Sequence, residues 1–136
     1  MPVFGYVVKK LYITVDRKKR NDRAVSFDKM KHSLLQESIS VILFPEGTRN
    51  RSQEPLLNFK DGAFRLAIET QLPIAVLTIF NTVDFLPTDA FAMKPGTVRA
   101  VWDEPIETKG LTIQDIPMLK EKVRNILLRN IQKNRV

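Results

Sequence analysis

Ile39-Ser40-Val41-Ile42-Leu43-Phe44-Pro45-Glu46-Gly47-Thr48-Arg49-Asn50-Arg51-Ser52 is the stretch on which the reading of the chain turns. Its first six residues, nearly continuous in β-branched and aromatic side chains, predict a strand buried on both faces, as in a parallel sheet. Pro45 cannot donate to a ladder, and Gly47 admits positive φ and a close approach of a ligand to the backbone, so a turn is expected at the strand's carboxyl end. In open α/β sheets, ligands bind at that end. The turn offers the Thr48 hydroxyl and the guanidiniums of Arg49 and Arg51, groups suited to a phosphate, with Glu46 as a carboxylate able to hold one of those forks. An anion site is the expectation.

On the amino-terminal side, Pro2 to Lys10 reads as a short helix opening at Pro2, and Leu11 to Val15 as a strand ended by Asp16-Arg17. Val25, Phe27, Met30, Leu34 and Leu35 mark one face of a helix from about Ser26, long enough for a right-handed crossover between two parallel strands. That topology brings Arg17 to the same sheet edge as Glu46 to Arg49. The alternative, on charge alone, is that Asp16 to Arg20 is a solvated basic loop.

On the carboxyl-terminal side, Gln53 to Phe59 reads as a loop, and Lys60-Asp61-Gly62 as the start of a helix over 63–70 with Ala63, Phe64, Leu66 and Ala67 inward. Lys60 is a third basic group for the anion site. Pro73 to Phe80 predicts another buried strand, and Gly96 to Trp102 a strand with Val98, Ala100 and Trp102 on one face. Between them lies a long loop from Asp84 to Pro95. Leu119, Val123, Ile126, Leu127 and Ile131 recur at helical spacing, so an amphipathic helix from about 116 to 132 closes the chain. The predicted fold class is α/β, a mostly parallel central sheet flanked by helices.

A chain of 136 residues makes a single domain, 1–136, without repeats or low-complexity tracts. Zero Cys excludes disulfides and thiolate chemistry, and a single His, His32, excludes most His-built metal sites; no metal or cofactor is expected. The 22 Lys and Arg against 15 Asp and Glu leave a net charge of +7, which favours anionic partners. No apolar run approaches the roughly 20 residues of a spanning helix, and the first residues lack the pattern of a signal peptide.

Phe44-Pro45-Glu46-Gly47-Thr48-Arg49, with Ser52 nearby, resembles the third motif of the glycerolipid acyltransferases, typified by the 1-acyl-glycerol-3-phosphate enzymes. Pro2 to Arg17 is similar to the family's P-x-F-G helix, strand and Asp-Arg second motif, and Leu72-Pro73-Ile74-Ala75-Val76 to its fourth. The resemblance implies the glycerol-3-phosphate acyltransferase fold, incomplete at its amino-terminal side. It implies phosphate binding by Arg17, Glu46, Gly47, Thr48 and Arg49, with Lys60 and Pro73 as further candidates. It also implies a lysophosphatidate-type lipid as acceptor, acyl-CoA or acyl-carrier protein as donor, and an anionic membrane surface at the cytoplasmic face as the place of work. The family's first motif, N-H-x-x-x-x-D, supplies its catalytic His and Asp and belongs before the second motif; this sequence has only Met1 before Pro2, so no catalytic residue is assigned. His32 with Glu37 imitates that spacing, but lies between the second and third motifs and has Glu where the family has Asp.

Three functions stay open on this reading. The first is an acyltransferase domain carrying the phosphate-binding motifs, inactive as this chain alone. The second is a non-catalytic lysophospholipid-binding remnant. The third is a small basic nucleic-acid binder, disfavoured because the basic residues are not interleaved with exposed aromatics.

Overall fold

A computed structural model of the chain describes residues 20–80, 82–85 and 95–133, which belong to two compact units, Met1–Leu43 and Phe44–Val136. In the first unit, helix α1 spans Arg20–Gln36. It begins earlier than the apolar pattern suggests because no Gly or Pro interrupts the polar residues ahead of Ser26. Ser26 is buried, Phe27, Met30 and Leu34 are half-buried, and Val25 and Leu35 are exposed. The helix ends at Ser38, in the left-handed region at φ 53°, with the amides of Glu37 and Ile39 both donating to the Ser33 carbonyl at 3.2 and 3.3 Å. His32 is exposed on the helix surface.

Residues 39–44 are not a strand here. They make no ladder among the described residues, and Ile42 and Phe44 are 74% and 75% exposed, so the expected buried strand is corrected to an irregular segment. An apolar run becomes a strand only when a neighbour takes its backbone hydrogen bonds, and the predicted neighbour, 11–15, lies outside the described residues with the helix expected over 2–10.

The second unit runs α2 (Gly62–Thr70), β1 (Leu77–Phe80), the one-turn helix α3 (Thr82–Phe85), β2 (Arg99–Trp102), a 3₁₀ turn (Ile113–Asp115) and α4 (Ile116–Lys133). Strands β1 and β2 pair antiparallel, in the register Leu77 with Trp102 and Phe80 with Arg99. The expectation of a mostly parallel sheet is thereby corrected for the described strands. Beyond the ladder the same two segments meet again as an antiparallel bridge between Ile74 and Ile106, whose amides donate to each other's carbonyls at 2.9 and 2.8 Å. Pro105, which has no N–H, lies in the gap between bridge and ladder. Val98, Val101 and Trp102 remain exposed.

Helices α2 and α4 share one core with the segments around β1 and β2: Phe59, Phe64, Ile68, Val76, Ile106, Ile116, Leu119 and Val123 are buried together, with Ile126 and Leu127 packed against them. The apolar stripe predicted for α4 is therefore the face it buries. Helix α2 ends in a Schellman motif, Gln71 N–H donating to Ile68 O and Leu72 N–H to Ala67 O, both at 3.2 Å. Gln71 occupies the left-handed position usually given to Gly, at φ 55°. Its side chain offsets the strain. Nε2 donates to Ile68 O and Leu111 O at 2.6 and 3.1 Å, and Oε1 accepts Gly110 N–H at 2.6 Å. The fully buried Thr108 hydroxyl donates to Leu72 O at 2.7 Å, so the α2 terminus is tied to the segment that leads into α4.

Candidate anion-binding turn

The Phe44-Pro45-Glu46-Gly47 segment closes as a β-turn, Gly47 N–H donating to Phe44 O at 3.0 Å. Pro45 presets φ at the second position, and Gly47, at φ 68°, takes the left-handed conformation that leads the chain out of the turn. Thr48 and Arg49 follow directly and are exposed. The loop after them is held by its own side chains. Asn50 Oδ1 accepts Ser52 N–H at 2.9 Å and the Ser52 hydroxyl at 2.7 Å, and Asn50 Nδ2 donates to Glu54 O at 2.7 Å, so Ser52 serves the loop's geometry.

Two bonds fasten the turn to the segment that precedes α2. Lys60 N–H donates to Pro45 O at 2.7 Å, and Leu57 N–H donates to Glu46 Oε2 at 3.0 Å. Lys60 also brings its side chain to the turn, its Cγ lying 3.3 Å from where a Cβ on Gly47 would be. Glu46, expected to hold a guanidinium, has its Oε2 on a backbone amide, which makes it a brace of the turn. Phe59 anchors the bracing segment in the core, stacked on Phe64 with ring centroids 6.1 Å apart.

The structure thus brings Glu46, Gly47, Thr48, Arg49 and Lys60 into one turn and its support. Arg17 lies outside the described residues, and so does its expected convergence with the turn. Pro73 is exposed beside the Schellman motif, and the bonds of its neighbours Leu72 and Ile74 run to Thr108 and Ile106. Gly62, at the start of α2, has no described atom within 4 Å of a Cβ placed on it. Among the described residues no three His, Cys, Asp or Glu side chains group so as to hold a metal ion, and no helix is long and apolar enough to cross a membrane.

The fold is that of an acyltransferase. The crystal structure of the 1-acyl-sn-glycerophosphate (LPA) acyltransferase PlsC from Thermotoga maritima superposes with a TM-score of 0.69 at 24% identity, over 83% of this chain and 47% of that one. The family model described as Acyltransferase matches residues 1–79, more than half of the sequence, and the chain belongs to that family. It is 34% identical over 116 residues to 1-acyl-sn-glycerol-3-phosphate acyltransferase alpha of Homo sapiens, matching 85% of this chain and 41% of that protein. It is 29% identical over 123 residues to 1-acyl-sn-glycerol-3-phosphate acyltransferase of Limnanthes douglasii, matching 88% and 42%. The chain therefore spans about two fifths of the length of these curated relatives.

Two polar residues of α4 escape the sequence reading. Arg124, on the border of the apolar stripe, donates from Nη1 to Leu57 O at 3.0 Å and from Nη2 to Leu56 O at 3.3 Å, with its guanidinium 5.8 Å from the Phe59 ring centre. Asn130 is buried and donates to the Thr78 hydroxyl at 2.9 Å and to Asp103, whose carboxylate also pairs with Arg129 at 2.6 Å. The available signal was position: Arg124 and Asn130 both interrupt the run of apolar residues at helical spacing, where a polar group needs a partner.

Proposed function

We propose that this chain is part of an acyltransferase domain that binds the phosphate of a 1-acyl-glycerol-3-phosphate and presents its free hydroxyl to an acyl thioester, acyl-CoA or acyl-carrier protein. The observation that carries the reading is the turn in a chain of the Acyltransferase family: Gly47 left-handed, braced through Glu46 and Pro45, with Lys60 against it and Thr48 and Arg49 exposed. Arg49 and Thr48 supply a fork and a hydroxyl to the phosphate oxygens, Gly47 leaves room for them, Lys60 adds a cation, and Arg17 joins from the second motif. In the transfer itself the lipid hydroxyl oxygen bonds to the thioester carbonyl carbon as a base takes its proton, the C–S bond breaks, and the departing thiolate takes that proton back from the base to leave as the thiol.

No side chain of these 136 residues is assigned as that base. The one His, on the exposed surface of α1, is outside the family's first-motif position, and this favours a second reading in which the chain by itself binds lysophosphatidate without turning it over. The net charge of +7 supports work at an anionic membrane surface. Titration of the chain with lysophosphatidate vesicles, lysophosphatidylcholine vesicles and single-stranded RNA tests the binding function. Preference for the phosphomonoester lipid is expected; equal or tighter binding of RNA would overturn it.

A further inference from the structure

We propose that Arg124 is a positioning residue for the anion-binding turn, acting on Glu46 through the peptide bond between Leu56 and Leu57. That bond is trans, so its carbonyl and its N–H point in opposite directions. The carbonyl accepts Arg124 Nη2 at 3.3 Å, and the N–H donates to Glu46 Oε2 at 3.0 Å. A peptide dipole therefore lies between a guanidinium and a carboxylate, each polarising the bond the other makes. The next carbonyl, Leu57 O, accepts Arg124 Nη1 at 3.0 Å, so the fork spans two successive carbonyls and fixes the rotation of the peptide plane.

Arg124 is itself immobilised. Its guanidinium rests near the Phe59 ring, and α4 is pinned by the buried Ile116, Leu119 and Val123. The register of the turn is thus set from α4, which lies beyond residues 1–79, the part the family model matches. Lysine cannot reproduce this, because a single ammonium lacks the planar fork that spans both carbonyls.

The test uses the whole chain and a short-chain lysophosphatidate that stays monomeric in solution, titrated by calorimetry, and its ligand arm rests on the function proposed above. Arg124→Met should weaken binding by about tenfold or more, the scale of a lost charge-assisted hydrogen bond. Arg124→Lys should restore little. In a Glu46→Ala background, which removes the acceptor, the added effect of Arg124→Met should fall below about twofold, because the two residues act through one peptide. Arg129→Ala, which removes the same charge from α4 at its Asp103 pair, should leave affinity near wild type. Independent, multiplying losses from Arg124→Met and Glu46→Ala, or an equal loss in Arg129→Ala, would overturn the proposal. A second arm needs no ligand: amide hydrogen exchange in Arg124→Met should accelerate at Leu57 and Gly47 but not along α4. If wild type fails to bind the lipid, the functional reading falls while this arm still decides on Arg124, and unchanged exchange at Leu57 refutes it.

Discussion

Gly47→Ala and Gly62→Ala, the same chemical change at two nearby positions, should move stability in opposite directions. At position 47 an L-residue at φ 68° costs about 1–2 kcal/mol. The new methyl would also meet Lys60 Cγ at 3.3 Å, and moving that side chain off its rotamer adds about 0.5–1 kcal/mol. The sum is roughly 1.5–3 kcal/mol, which at a urea slope near 1–3 kcal/mol per molar lowers the midpoint by about 1 M. Position 62 opens α2 with nothing described within 4 Å of a Cβ, so alanine there should stabilise by about 0.4–1 kcal/mol through the unfolded chain. Lys60→Ala combined with Gly47→Ala should recover the steric part alone, and Gly47→Asn should lose less than Gly47→Ala, since Asn tolerates the left-handed region. Urea unfolding followed by tryptophan fluorescence and circular dichroism measures all five proteins. A Gly47→Ala chain as stable as wild type, or shifted in the same direction as Gly62→Ala, would refute the turn geometry and the steric argument together.

Three further outcomes are expected. Arg49→Ala should weaken binding of a lysophosphatidate analogue by about 1.5–3 kcal/mol, with Arg49→Lys recovering little and Thr48→Val losing less; calorimetric titration reads this, and unchanged affinity in Arg49→Ala disposes of the clamp. Asp115 accepts the amide and hydroxyl of Thr112 at 2.7 and 2.9 Å, and these bonds, the amide first, hold its carboxyl below the ordinary value of 3.8. A carboxyl depressed in the folded state adds stability above its unfolded value and loses it as pH falls through the folded one. Asp115→Asn should therefore flatten the acid limb of the stability curve below about pH 4 and change little in how stability varies between pH 6 and 8; an unaltered acid limb counts against a stabilising role for the two Thr112 bonds. The 136-residue chain alone should release no appreciable thiol from acyl-CoA with lysophosphatidate present, since loss of a general base costs roughly 10²–10⁴-fold in rate. Robust turnover abolished by His32→Ala would make His32 the base after all.

What the sequence showed clearly was local, and what it misjudged depended on partners elsewhere in the chain. The α4 stripe, the α2 helix and the turn at Pro45 and Gly47 each follow from a few neighbouring residues: helical spacing of Leu119 and Val123, a proline that cannot donate, a glycine free to take φ 68°. Strand direction is different in kind. Nothing within Leu77–Phe80 or Arg99–Trp102 states whether they run parallel; the inference rested on a regular alternation of strands and helices, whereas these two strands pair antiparallel. The run at 39–44 failed for the related reason that apolar composition supplies a reason to be buried but no ladder partner. Glu46 shows the same limit inside the turn: its proximity in sequence to Arg49 and Arg51 suggested that it holds one of their forks, whereas its Oε2 accepts the Leu57 amide, whose peptide Arg124 orients from far along the chain. A motif read as a list of ligand-binding side chains is, in this molecule, also a set of fastenings. Glu46 holds backbone in the turn, and the sequence alone cannot separate that role from holding a guanidinium, because both call for the same carboxylate at the same spacing.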